Sequence, residues 1–136
     1  MKYNNFVLLE GRLTADVDLK ETKNGNKYSR FCLCYNVYRY DKNNKDPNYK
    51  GDSVPHYFNI VAWNDIAEFA AELKKGEAIQ VRGKLSYSAW TDENNNKHSD
   101  VFILAESVIN ISNAKKTDKV EEISEELENE ISEAIF

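Results

Sequence analysis

The sequence predicts an all-β domain of five strands, with one helix between the third and the fourth, followed by an acidic tail. Three observations carry this. Apolar residues alternate with period two through most of the first 112 residues. The period changes once, to that of a helix, across the middle of the chain. Charge then divides the chain: of 18 Lys+Arg and 23 Asp+Glu among 136 residues, 3 and 8 fall in 115–136, which leaves 15 of each in the body. Residues 1–113 are therefore expected to form one domain, large enough for its own core, and 114–136 a separate tail.

The elements follow in order. Asn5–Thr14, NFVLLEGRLT, is an apolar run interrupted at Gly11, as in a strand with a bulge or a close backbone approach. TKNG, ending at Gly25, is a turn signal. Lys27–Tyr40 is a long β-prone run in which Phe31, Leu33, Tyr35 and Val37 share one parity, and Cys32, Cys34, Asn36, Tyr38 and Tyr40 the other. Asp41–Pro55 is polar, with Asn, Pro and Gly, and reads as a loop. His56–Trp63 alternates again, with Phe58, Ile60 and Ala62 opposed to Tyr57, Asn59, Val61 and Trp63. In Asn64–Gly76, Ile66, Phe69, Ala70 and Leu73 fall at i, i+3, i+4 and i+7, one face of a helix. Asn64 or Asp65 suits its start, and Lys74, Lys75 and Gly76 its end. Ala78–Trp90 returns to strand, Thr91–His98 reads as a hairpin loop, and Ser99–Ser112 as the last strand.

Several function classes are disfavoured. No stretch approaches the roughly 20 apolar residues of a membrane span, and no secretory signal opens the chain, so an intracellular protein without a membrane partner is expected. Cys32 and Cys34, two apart, read as small strand residues in a reducing compartment. Neither histidine, His56 or His98, sits in a catalytic motif, and no phosphate loop or nucleophile elbow is present. The loop beginning at Asp92 carries Asn94 and Asn96 like a calcium loop, but has Lys97 and Ile103 where that loop needs glycine and glutamate. No enzyme activity, cofactor or metal site is expected.

The aromatic residues are more informative. If Phe58 and Ile60 point inward, Tyr57 and Trp63 point outward. If Ile79, Val81 and Leu85 point inward, Arg82, Lys84, Ser86, Ser88 and Trp90 point outward. Tyr38 and Tyr40 also face out, with Arg39 beside them. Flat rings with scattered cations suit an unstacked nucleic-acid strand, whose bases stack while its phosphates pair. The alternative is that a second small core or a protein interface hides these rings.

These segments resemble the bacterial-type single-stranded DNA-binding proteins. The marks are G-R-L-T-x-D from Gly11, the T-x-N-G turn, R-F-x-L from Arg30, F-N-x-V-A-W from Phe58, L-K-K-G from Leu73, V-x-G-x-L from Val81, W-T-D from Trp90, and LAESV near the end, in order over roughly residues 5–112. The resemblance implies an OB-fold, a five-stranded barrel with one helix between its third and fourth strands. It implies a cytoplasmic, nucleoid-associated homo-oligomer, a tetramer built from dimers, that coats single-stranded DNA during replication, recombination and repair. Base-stacking roles carry over to Tyr57, Trp63 and Trp90, and a further one falls at Arg39, with Tyr38 and Tyr40 on either side. Arg12, Arg82 and Lys84 join them as DNA-binding residues. Where many members are basic, this chain has SYSA (Ser86–Ala89), and Val17 stands in place of a usual proline.

The tail admits two readings. The resemblance implies a disordered segment whose tip, Glu133, Ala134, Ile135 and Phe136, docks on enzymes of replication, recombination and repair, although the usual proline before the final Phe is missing. Alternatively Val120, Ile123, Leu127 and Ile131, at i, i+3, i+7 and i+11, form the face of a packed helix.

Overall fold

The computed structural model describes residues 2–112 and the backbone of 115–116. The remaining tail, including the Glu133–Phe136 tip and the alternative helix, lies outside the described residues. In chain order the elements are β1 (Val7–Leu13), β2 (Lys20–Glu21), β3 (Lys27–Arg39), β4 (Asp52–Trp63), α1 (Asn64–Ala70), β5 (Ala78–Thr91), β6 (Lys97–Asn110) and β7 (Lys115–Lys116). The sheet runs β1-β5-β6-β4-β3-β2, with β7 on β6, and β1 pairs β3 as well. That extra pairing closes the five long strands into a ring. The architecture is an OB-fold barrel, as the sequence implies.

Closure depends on the first strand serving two partners. Val7–Arg12 pairs with Gly83–Ala78 of β5, while Arg12 and Leu13 pair with Cys34 and Leu33 of β3. At this crossing a Cβ on Gly11 would stand 3.0 Å from the Cys34 carbonyl oxygen. The glycine is thus the close backbone approach its position suggested.

Inside the ring, Leu33, Ile60, Ala62, Ile79, Val81, Ala105 and Val108 are fully buried, and α1 adds Ile66, Ala67 and Ala70. The helix ends earlier than the apolar stripe predicts, at Ala70, although Leu73 still packs in the core. Neither Asn64 nor Asp65 caps it. The cap position is Trp63, without a side-chain bond, and Asn64 adopts φ 46°. Its Oδ1 instead accepts the Lys27 N–H at 3.2 Å, tying the helix to the start of β3.

Two hairpins project beyond the packed ring. β3 has 13 residues and, at about 3.3 Å per residue, is on the order of 40 Å long, more than the core can cover. Its register with β4 runs from Tyr28↔Trp63 out to Arg39↔Asp52, so β4 starts inside the segment read as a loop. Pro55 fits there because β4 pairs with β6 only at Ile60 and Val61, leaving it an edge strand at residue 55. The β5–β6 hairpin is likewise longer than expected, with pairing out to Thr91↔Lys97 around a turn at Asp92–Asn96. Leu85, expected inward, is exposed with Tyr87 and Val101, since the core has ended before that point.

Candidate nucleic-acid interface

Residues opposite each other in a sheet project from the same side, so the register defines the barrel's outer face. Arg12, Cys34 and Tyr57 form one row across β1, β3 and β4. Tyr38, opposite Ser53, lies on the same side of the β3–β4 hairpin, four residues further out or about 13 Å along the strand. Val61, on that side of β4, pairs with Leu104 of β6. On β6 and β5 the face continues through the pairs Leu104↔Lys84, Phe102↔Ser86, Asp100↔Ser88 and His98↔Trp90. Tyr57 is 63% exposed and Tyr38 64%. Trp90 is half-buried, its ring stacked on His98 at 5.5 Å and 20°.

Trp63 does not belong to this surface. It has the parity of Tyr57 but is 0% exposed, packed with Tyr28, Val61, Phe102 and Leu104 in a second cluster. Tyr28 pairs with it in register and lies 5.8 Å away at 49°. The physical reason is that Ile60–Trp63 lies inside the sheet, with cover on both faces. The second small core weighed as an alternative is therefore real, and Trp63 is in it. Its Nε1 is buried without a hydrogen-bond partner, as are Ser29 Oγ and Ser88 Oγ. Ser88, expected on the surface, is covered as well.

The cations divide. Arg12 is exposed, and its Nη1 donates to the Gly76 carbonyl at 2.8 Å, which fixes the guanidinium beside the cleft it lines with Cys34, Tyr35 and Asn36. Arg82 is exposed and Lys84 half-buried on the outer side of β5. Arg39 is exposed but pairs with Asp52 and so projects from the opposite side of the hairpin to Tyr38 and Tyr57. Tyr40 lies just beyond β3, packed on Tyr49 at 5.3 Å. Tyr49 organises that loop: its hydroxyl accepts the Asp41 N–H at 2.8 Å and donates to Asp52 at 3.0 Å. Gly51, at φ +107°, lies under the Tyr38 ring, where any Cβ would overlap it.

Two residues of the face escaped the sequence reading. Arg30, opposite Val61, stands on the Tyr57 side with its Nη2 3.7 Å from Asp100 Oδ2; its parity with Cys32 and Cys34 was the available signal. His98, read as a loop residue, is in β6 beneath Trp90. Elsewhere Lys27 meets Glu68 at 2.7 Å, and that hydrogen bond raises the lysine above its ordinary pKa. Among the described residues no cluster of His, Cys, Asp or Glu is arranged to hold a metal ion.

The model of the single-strand binding protein family matches residues 4–111. The chain belongs to this family. The resemblance drawn from the sequence is thus borne out, and the family is non-enzymatic. Among its relatives, the single-stranded DNA-binding protein of Borreliella burgdorferi is 35% identical over 115 residues, 83% of this chain and 73% of that protein. That of Aquifex aeolicus is 34% identical over 124 residues, 90% and 80% of the two chains. The Thermus thermophilus protein is 36% identical over 87 residues, 64% of this chain but 30% of its own length. The chain thus spans about a third of the length of such Thermus and Deinococcus relatives. Of solved structures, a deletion mutant of the Thermus aquaticus single-stranded DNA-binding protein superposes with a TM-score of 0.64 at 29% identity, covering 77% of this chain and 49% of that one. A Plasmodium falciparum SSB in complex with ssDNA gives 0.64 at 24% identity, covering 77% and 89%, and shows the shared fold.

Proposed function

We propose that the chain binds single-stranded DNA without strong sequence preference, along the outer face of β3, β4, β6 and β5. The observation that carries this is the row Arg12–Cys34–Tyr57, with Tyr38 beyond it on the same side. A cation and an exposed ring stand two strand spacings apart, about 10 Å. A base stacks on Tyr57 while a neighbouring phosphate meets Arg12. Trp90 extends the stacking surface, and Arg82 and Lys84 supply further phosphate partners. Arg39 and Tyr40 would meet the strand only where it wraps the tip of the hairpin. Coverage of this kind protects single strands in replication, recombination and repair.

The same reading makes the protein a homo-oligomer, a tetramer built from two dimers. Phe6 and Leu8 are exposed on or beside β1, which favours a protein interface there rather than a solvated edge. Residues 1–113 act as the binding domain. Residues 114–136 act as the tail, whose tip (Glu133, Ala134, Ile135 and Phe136) captures partner enzymes by its apolar end and charge. The setting is the cytoplasm, with the nucleoid. Titration with oligo(dT) tests the core of the proposal. Binding by the intact protein and a five- to hundredfold loss in Tyr57→Ala, on the scale of one stacked base, are expected. No binding of oligo(dT) by the intact protein would instead favour an OB module whose rings serve a protein interface, while full-strength binding in Tyr57→Ala would take that ring off the path of the strand.

A further inference from the structure

Taking Trp90 as a base-stacking ring, which rests on the function proposed above, we propose that His98 is its positioning residue, held in turn by Asp92. Trp90 and His98 are directly opposite in the β5–β6 register, and their rings are nearly parallel at 5.5 Å and 20°. His98 Nε2 lies 2.7 Å from Asp92 Oδ2. Asp92 is itself fixed by the hairpin turn. Its Oδ1 accepts the N–H groups of Asn94 and Asn96, both at 2.9 Å, and its own N–H donates to the Asn96 carbonyl at 2.9 Å. Asn95, at φ 63°, lets the chain close this turn. Restraint passes from turn to carboxylate, from carboxylate to imidazole, and from imidazole to indole.

The contribution is geometric rather than electrostatic. The His98 and Asp92 side chains are 44% and 32% exposed, and ion pairs this open to water add little stability by themselves. What the chain of contacts supplies is order. An indole on an exposed hairpin loses rotamer freedom when a base stacks on it, and a ring already held by His98 has less to lose. With His98 along one face of Trp90, the base takes the other, giving a column of base, indole and imidazole. The Asp92 carboxylate, which would repel a passing phosphate, is directed toward His98 and the turn amides.

The test uses the full chain labelled with 5-fluorotryptophan, which reports two positions, Trp63 and Trp90. In His98→Ala the Trp90 resonance should shift while that of buried Trp63 stays, showing an intact fold. Affinity for oligo(dT) should fall about three- to tenfold, the scale of one aromatic pair. His98→Phe, which restores the flat ring but not the bond to Asp92, should recover only part of the lost affinity, and full recovery would remove Asp92 from the chain of restraint. In a Trp90→Ala background, His98→Ala should cost nothing further, because it acts only through the indole. An unchanged Trp90 resonance and affinity in His98→Ala would overturn the inference, as would a further loss in the Trp90→Ala background, which would place His98 on the strand itself. Either result leaves Trp90 in the interface. Wild-type affinity in Trp90→Ala would overturn both the inference and that ring's place in the proposed function.

Discussion

Replacing Trp63 with alanine should cost stability first, and binding only through lost stability. The indole is 0% exposed and packs on Tyr28, Val61, Phe102 and Leu104. Truncating a core Trp to Ala typically costs about 3–5 kcal/mol, a large share of the roughly 5–15 kcal/mol that holds a domain folded. At about 4–8 °C per kcal/mol for a domain near this size, the melting temperature should fall by more than about 12 °C. Trp63→Phe separates packing from polarity. It removes ring volume but also the buried Nε1 donor that has no partner, and an unsatisfied buried donor costs about 1–3 kcal/mol. The phenylalanine variant should therefore lose much less than the alanine one. Urea unfolding followed by far-ultraviolet circular dichroism, at fixed protein concentration, measures both. A Trp63→Ala protein that melts like wild type yet has lost oligo(dT) binding would refute the burial argument and return Trp63 to the surface.

Other expectations bear on the interface and its surroundings. Tyr57→Ala and Tyr38→Ala should each weaken oligo(dT) binding by about 1–3 kcal/mol with melting curves unchanged, and a drop in melting temperature would mean the rings are structural. Affinity should fall with salt at a slope of about −0.7 per phosphate contact, and Arg12→Gln should make the slope shallower by roughly one such step; an unchanged slope would remove Arg12 from the phosphate path. The His98 hydrogen bond holds the Asp92 carboxyl below its ordinary 3.8. The stabilisation from that depressed value is complete above pH 3.8 and fades as pH falls through the lowered folded value. Asp92→Asn should thus lower stability at neutral pH but not at the acid end, and a penalty independent of pH would show that the charge is irrelevant. Removing residues 117–136 should leave single-strand binding equal or tighter, most visibly at low salt where screening is weak. A weaker or less stable truncated protein would favour the packed helix.

The five long strands and the helix were legible because alternation and one change of period are local signals, each backed by many residues. Trp63 shows where that logic stops. Its parity with Tyr57 was read correctly, but parity gives a side of the sheet and not what covers that side. Tyr28, Phe102 and Leu104 come from distant segments, and their convergence over β4 has no mark in the local pattern. Leu85 fails in the opposite sense, since it points as expected yet the core has ended by then. Arg39 and Tyr40 were placed through an approximate match, and the register with Asp52 separates Arg39 from the ring face. His98 was missed because DENNNKH looks like a longer loop than it is. Asp92 caps the turn with its own carboxylate, so pairing begins at Lys97.

Ultraviolet crosslinking of the intact protein to oligo(dT), with the adducted residues mapped by peptide mass spectrometry, tests the proposed path of the strand most directly. Adducts are expected at Tyr57, Tyr38 and Trp90, with none at Trp63 or Tyr28 in the second core. Adducts concentrated on Tyr3, Phe6 or Tyr87, with Tyr57 and Tyr38 unmodified, would contradict the assignment of the outer face as the nucleic-acid surface.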